Sequence, residues 1–379
     1  MLADVARQRA ALIAVNALPG IGAAKVKSLE RVYGALTRLP EHRPADIHQH
    51  CKDLSERQIA EVLQALCSDK AEREEAQAKA CNVRILTWLD DDYPDSLRQI
   101  PSAPLCLYCA GDTALLKQAQ IAIVGTRAAS LYGREQAQRF GQRLAEAGMH
   151  VTSGLAHGID TAAHEGALLA GDSAPGKTIA VLGAALDTIY PVDQKPLAVR
   201  IVRAGGLVVS EYAFGRNADR KTFPQRNRII AALAKGTLVV ETAAESGGTL
   251  ITANYAQTFG RALYAIPGRV DVHSFSGNLK LLRDGDARLV RCPEDLLDEF
   301  GAFDFGEGRP APASAEEVMP PGLTAEEQAL YQALGHDDCS VDELVERTGL
   351  SGAAVSVALV GLRLKRRVKD RHGGRICRA

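Results

Sequence analysis

Leu238-Val-Val-Glu241-Thr242-Ala-Ala-Glu245-Ser246-Gly247-Gly248-Thr249-Leu-Ile-Thr252-Ala253 reads as an apolar strand, a glycine turn and the start of a helix. The same order recurs in Ile121-Ala-Ile-Val124-Gly125-Thr126-Arg127. It recurs again in Val151-Thr-Ser153-Gly154-Leu-Ala-His157-Gly158-Ile-Asp160, which leads into a helix carrying His164. Working outward, apolar runs at 104–109, 120–124, 149–152, 178–183, 206–209, 237–241 and 262–266 are strand candidates. Helical patterns lie between most of them, as at 132–147 and 250–259. This alternation predicts an α/β fold over 82–298, an extended Rossmann-like, doubly wound and mostly parallel sheet. Ligands bind such sheets outside the carboxyl ends of the strands. There the three glycine turns are expected to offer free amides and hydroxyls at helix N-termini, Ser153, Gly154, Ser246, Gly247 and Thr249 among them.

Between the strands at 206–209 and 237–241 lies Thr222-Phe223-Pro-Gln-Arg226-Asn227-Arg228-Ile-Ile230, preceded by Arg216, Arg220 and Lys221. The 379-residue chain carries a formal net charge of −1, so this cluster is not a by-product of a basic composition. Cations beside an aromatic ring suit single-stranded nucleic acid, with charge for the phosphates and a ring for the bases. With Arg127, Arg226 and Arg228 near the glycine turns, one sheet edge would form a groove for several phosphates in a row.

Length predicts two or three domains. Hydrophobic residues make up 46% and charged residues 24%, as in a soluble globular chain, and the longest apolar runs, such as 178–186, are too short to cross a bilayer. The start lacks a basic-then-apolar leader, and eight scattered cysteines form no secreted disulfide framework, so a cytoplasmic location is expected. Cys106-Leu-Tyr-Cys109 falls in a strand, where residues three apart face opposite ways, so it is not read as a zinc site. Gly171-Asp-Ser-Ala-Pro-Gly176-Lys177-Thr178 has the spacing of a phosphate loop but runs from helix to strand, the reverse of the working order. His157 and His164 have only Asp160 near them as a further ligand and are read as hydrogen-bonded structural residues, with Asp160 capping or tying down the 158–170 helix. No dinucleotide fingerprint follows a strand, and no nucleophile has an evident base. No catalytic residue, metal or cofactor is therefore expected.

Residues 1–80 carry helical periodicity and contain Leu18-Pro19-Gly20-Ile21-Gly22-Ala-Ala-Lys25-Val26. This is similar to a helix-hairpin-helix. Either Gly20, Gly22 and Lys25 approach a phosphate, or the segment is a plain turn inside a small helical, SAM-like domain. A Pro/Gly/Ala linker covers 299–322. Residues 323–379 then resemble a winged helix, with helices at 324–334, 340–347 and 351–364 and a wing tip at His372-Gly-Gly. Its basic run of Arg363, Lys365, Arg366, Arg367, Lys369, Arg371, Arg375 and Arg378 faces nucleic acid or an acidic partner, or is a solvated tail.

Taken in order, several blocks closely resemble the DNA-processing protein A (Smf) family. They are Val124-Gly-Thr-Arg127, Ser153-Gly-Leu-Ala-His-Gly-Ile-Asp-Thr-Ala-Ala-His164, Thr178-Ile-Ala-Val-Leu-Gly183, Tyr190-Pro191, Ser210-Glu211, Phe223 to Ile230, Ser246 to Ala253 and Pro267-Gly268. One stretch departs from it: Asn278 stands one residue further from Gly285 than the family's spacing, and no role is assigned to it.

The resemblance implies a recombination mediator. It would be a homodimer, without nucleotide hydrolysis, that protects single-stranded DNA arriving in natural transformation and helps load the RecA recombinase. Single-strand binding protein is a further partner, and weak duplex binding by the terminal domain is compatible with the sequence. By position, Arg127 and Lys221 would hold phosphates, and Phe223 would stack on a base or buttress the site. Arg226 or Arg228 would complete a positive floor, while Asn227 and Ser246 to Thr249 would supply neutral hydrogen bonds. At least one of Arg226, Asn227 and Arg228 is expected to point inward, and a buried arginine there needs an acid, with Glu211 and Glu241 as candidates. Two other readings compete. The core also resembles LOG-type nucleotide phosphoribohydrolases, but the carboxylate that should follow Gly247-Gly248-Thr249 is missing. A winged-helix regulator of duplex DNA would leave the phosphate-lined core idle.

Overall fold

Ile121 and Ile123 turn to one face of the sheet and Ala122 and Val124 to the other, and all four are buried. A strand covered on both faces belongs in the middle of a doubly wound sheet. The computed structural model describes residues 2–245, 247–301, 323–334, 340–365, 367–370 and 376–378. Ser246, most of the 299–322 linker and the wing tip at His372 lie outside the described residues. The chain divides into two units, Met1–Asp304 and Phe305–Ala379.

In the first unit the strands are β1 (Arg84–Thr87), β2 (Cys106–Gly111), β3 (Gln120–Val124), β4 (His150–Ser153), β5 (Thr178–Leu182), β6 (Leu207–Ser210), β7 (Gly236–Val239), β8 (Ala262–Ala265) and β9 (Arg288–Leu289). They form one nine-stranded sheet in the order β1-β2-β6-β5-β4-β3-β7-β8-β9. β2 runs antiparallel to β1 and β6, and every other pairing is parallel. The α/β, mostly parallel sheet is the one the sequence predicts. β1 and β9 were not among its strand candidates; both are short edge strands, and β9 has two residues.

The strand order reverses at β3, which has β4 on one side and β7 on the other. A crevice forms at such a reversal, and it positions the candidate site. On one face the Leu131–Glu146 and Ile159–Leu169 helices pack through Phe140, Leu144 and Ile159. On the other the Thr222–Leu233 helix lays Ile229, Ile230 and Leu233 against β3 and β5. Helices over Leu2–Ala80 pack around Leu12, Ile13, Val26, Leu39 and Ile59, and their core runs on into the sheet through Ile85, Leu105, Cys106 and Tyr108. Cys106 and Cys109 are buried on opposite faces of β2, and the Gly171–Lys177 segment is a turn from helix to strand.

The second unit packs Ala325–Ala333, Val341–Thr348 and Gly352–Leu364 around Leu330, Leu344, Val355 and Leu359. A hairpin of β10 (Val368–Asp370) and β11 (Ile376–Arg378) closes it. Capping boxes at Thr324/Glu327 and Ser340/Glu343 start its first two helices, and Gly349, left-handed at φ 68°, ends the second. Within the basic run, Lys365 is paired with the almost fully buried Glu327. The third helix exposes Val357, Val360 and Leu364.

Candidate nucleic-acid interface

At the carboxyl end of β3 the chain turns through Gly125 and Thr126, whose amide donates to the Glu241 carbonyl at 2.8 Å. Arg127 follows, exposed, with its guanidinium carbon 5.0 Å from the centre of the Phe223 ring. Phe223 stands in the first turn of the Thr222–Leu233 helix above Gly183, where a Cβ would come within 3.0 Å of the ring. Tyr190 meets the same ring at 5.7 Å, tilted by 53°, and is itself exposed. Loops following β3 and β5 and the helix entering β7 thus build one stack, Arg127–Phe223–Tyr190. Lys221 is exposed at the N-cap of the same helix. Among the described residues, Arg127, Arg220 and Lys221 have no carboxylate partner, whereas Arg216 is held by Asp219. Unpaired cations beside stacked aromatic rings supply both halves of a single-strand site.

The structure corrects the expectation that all three glycine turns present free amides. Ser130 caps the Leu131–Glu146 helix, and both its amide and its hydroxyl donate to the Glu241 carboxylate at 2.9 and 2.8 Å. After β4, the amides of Gly154 and Ala156 donate to the buried Asp160 carboxylate at 3.2 and 3.3 Å. The Thr222–Leu233 helix start is likewise occupied, since Asp219 accepts from the amides of Lys221 and Thr222. In the third turn the Thr242 and Ala244 amides donate to Asn278 and Ser276, while among the described residues Gly247 and Gly248 are exposed, with nothing within 4 Å of where a Cβ would stand.

The positive floor is corrected as well. Arg226 is only 4% exposed, and its guanidinium donates to the Gly154 and Val181 carbonyls and to Asn227 Oδ1. A Cβ on residue 154 would lie 2.6 Å from that guanidinium, which is why a glycine stands there. Burial lowers the Arg226 pKa to about 10 against the pull of Asp160, and burial raises Asp160 against the pull of Arg226. Asp160, rather than Glu211 or Glu241, is the acid whose charge acts on Arg226, without a direct ion pair between the two. Arg228 turns inward to pair with Glu211, both side chains being nearly buried. Asn227 donates to the Gly248 carbonyl at 3.0 Å, Ser153 Oγ donates to the Ile123 carbonyl at 2.6 Å, and Thr249 is buried. Arg127, Lys221, Phe223, Gly247 and Gly248 therefore gather at the surface. Ser153, Gly154, Arg226, Asn227, Arg228 and Thr249 form the scaffold beneath them.

Residues 84–301 match the family model described as DNA recombination-mediator protein A, and residues 310–374 match that of the DprA winged helix domain. The chain belongs to the DNA recombination-mediator protein A family. Protein Smf of Escherichia coli K12 is 36% identical over 274 residues, 72% of this chain and 71% of that protein. DNA processing protein DprA of Streptococcus pneumoniae R6 is 43% identical over 212 residues, 56% of this chain and 72% of that one. Protein Smf of Synechocystis is 42% identical over 234 residues, and there the match spans 61% of this chain but only 56% of the relative. Among solved structures, DNA processing protein A of Streptococcus pneumoniae has 31% identity and a TM-score of 0.62, over 79% of this chain and 96% of that one. A Helicobacter pylori DNA processing protein A, studied for its single-stranded DNA binding mode, has 27% identity and a TM-score of 0.51, over 58% and 96%.

Two buried residues of this DNA recombination-mediator protein A chain do structural work: Asn278, which the sequence left without a role, and His164, which it read as a hydrogen-bonded structural residue. Asn278, which the shifted spacing left without a role, is fully buried. It accepts from the Thr242 amide at 2.8 Å and donates to the carbonyls of Val239, Val240 and Ile266, tying the ends of β7 and β8 together. His164 is also fully buried. Its Nδ1 donates at 2.7 Å to Thr178 Oγ1, whose own proton goes to the Val151 carbonyl at 2.9 Å.

Burial, reinforced by Arg226, lowers the His164 pKa from 6.5 to about 3. On acidification the unfolded chain takes up this proton near pH 6.5 and the folded one does not, so the contribution to stability is lost as pH falls from there toward 3. Urea unfolding at about pH 7.5 and about pH 5 is expected to show a loss about 2 kcal/mol larger in wild type than in His164→Asn. Asp160, with its raised pKa, acts in the opposite direction but is common to both proteins. Equal losses would refute the assignment.

Proposed function

We propose that this protein binds single-stranded DNA along the carboxyl edge of β3, β5 and β7, and that it acts as a recombination mediator. In this reading it protects strands arriving during natural transformation and helps load the RecA recombinase onto them, working as a homodimer and meeting single-strand binding protein on the same strands. The observation that carries the reading is the exposed Arg127 laid against Phe223, beside an unpaired Lys221 and the open Gly247-Gly248 turn. Phosphates would meet Arg127, Lys221 and the glycine amides, and bases would meet the aromatic stack.

Chemistry on a nucleotide finds less support. Asp160, Glu241 and Asp219, the carboxylates placed at the helix starts described above, are each engaged by backbone amides. A duplex-reading regulator is also disfavoured. The third helix of the second unit shows Val357, Val360 and Leu364 to the outside, with Arg363 as its cation, rather than the Arg, Asn and Gln that read base edges.

Fluorescence anisotropy with labelled oligothymidylate and a duplex of equal length, at several salt concentrations, tests the reading. Wild type is expected to prefer the single strand with a steep salt slope. The Arg127→Ala/Lys221→Ala double variant should bind roughly a hundredfold more weakly, with a slope shallower by about 0.7 per lost phosphate contact. Undiminished binding by that variant, or a preference for duplex, would move the activity to the terminal segments and refute the reading.

A further inference from the structure

We infer that the cleft between the N-terminal turn and the start of the Thr222–Leu233 helix is a second subsite, which takes the strand onward from the Arg127–Phe223 platform. This rests on the single-stranded DNA reading and extends it. The cleft has a volume of about 800 Å³, within the range of built ligand sites. Its lining includes the turn from Leu18 to Gly22 together with Tyr212 and Lys221. Lys221 therefore belongs to both places: it lines the cleft and directly precedes the helix turn that carries Phe223. A polymer leaving the platform past this unpaired ammonium meets the cleft next.

The lining has the chemistry of a nucleotide site. Tyr212 and Tyr255 supply half-buried aromatic surface. Arg228 and Glu211 pair with one another, yet Arg228 Nη1 and Glu211 Oε1 are left buried without a protein partner. These two atoms are shielded from solvent, so the polar character of the lining rests on the accessible Lys221, Tyr212 and Gln225 beside them. Gly22, in the same lining, is the N-cap of the Ala23–Tyr33 helix and no side chain caps it. Its exposed backbone leaves the first-turn amides available to a phosphate. Gly20 and Gly22 both line the cleft, while Lys25 does not.

Gly22 also provides a clean test. Its backbone is extended (φ −126°, ψ −175°) and nothing lies within 4 Å of a Cβ placed there, so the fold accepts a side chain. Asp and Asn are both good N-caps, so Gly22→Asp and Gly22→Asn should fold at least as well as wild type, and only the first brings negative charge to the cleft. Binding is measured by anisotropy with oligothymidylates of about five and about fifteen nucleotides.

Gly22→Asp is expected to bind the long strand about fivefold more weakly, with a salt slope smaller by about 0.7; Gly22→Asn, whose side chain caps the same amides without adding charge, is expected to weaken it less, and all three bind the short strand alike. If Gly22→Asp and Gly22→Asn both bind the long strand as tightly as wild type does, the cleft is not on the strand path. Arg127→Ala is measured alongside. If it loses short-strand binding, the platform stands on its own and a null result at Gly22 overturns the cleft alone; if it keeps that binding, both readings fall. Thymidine monophosphate that displaces the long strand only from its extra, length-dependent affinity would assign the cleft to a free nucleotide and overturn the strand path.

Discussion

Arg226→Ala is expected to melt on the order of 10 °C below wild type, from a loss of about 3–5 kcal/mol. Arg226 is the cation at the centre of the sheet's carboxyl edge, buried beneath the platform and bonded to carbonyls after β4 and within β5. Its removal leaves the Gly154 and Val181 carbonyls without this donor. It also leaves Asp160 buried with two amides but without its cation. Removing a buried cation whose field offsets a buried carboxylate is costly, because the remaining charge stays desolvated.

The same reasoning predicts a rescue. Asp160→Asn in the Arg226→Ala background should recover part of the loss, although Asp160→Asn alone destabilises by stranding the arginine. Differential scanning calorimetry of the four proteins measures the cycle. An Arg226→Ala protein that melts like wild type but fails to bind oligothymidylate would instead mean that this side chain reaches DNA, as a surface reading of the Arg-Asn-Arg block has it.

That block marks where the sequence stops being legible. The alternation of strand, glycine turn and helix is set by burial on a period of two or of 3.6, so seven central strands and the doubly wound sheet could be read directly. Side-chain direction within Arg226-Asn227-Arg228 could not be read the same way. Three polar residues in a row at a helix start look like an exposed face. They turn inward only because Gly154 leaves room for a guanidinium and Asp160 and Glu211 wait beneath. The amides of the glycine turns were misjudged for a related reason. A free helix N-terminus and one capped from a distance have the same sequence, and Glu241 reaches Ser130 across 111 residues. The Asn278 spacing misled in the opposite sense. A one-residue shift still lets the asparagine bridge three strand-end carbonyls, because its contacts depend on where the helix Ser276–Arg283 begins and not on the distance to Gly285. Arg127, Lys221 and Phe223, by contrast, could be placed together from sequence, since the carboxyl ends of neighbouring parallel strands converge whatever their loops do.

Phe223→Ala is expected to weaken oligothymidylate binding roughly five- to tenfold with little change in melting temperature. The sequence left two roles for this ring, stacking on a base or supporting the site, and the geometry separates them. One neighbour of the ring is the Arg127 guanidinium and another is Tyr190, so in the proposed site the ring would act on DNA chiefly through groups that are themselves exposed. Removing the ring frees Arg127 to sample other rotamers, and that costs part of what Arg127 itself provides. Arg127→Ala and Phe223→Ala are therefore expected to be non-additive, with a coupling of about 1 kcal/mol, the size of an exposed cation–π contact together with the order it imposes. Tyr190→Ala, which removes an exposed ring without disturbing Arg127, should lose affinity independently of Arg127→Ala. Dissociation constants for the single and double variants on one oligothymidylate, at fixed salt, provide both cycles. Additive losses for Phe223 and Arg127 would mean that the ring meets a base directly, and the strand would then have to part the arginine from it on binding.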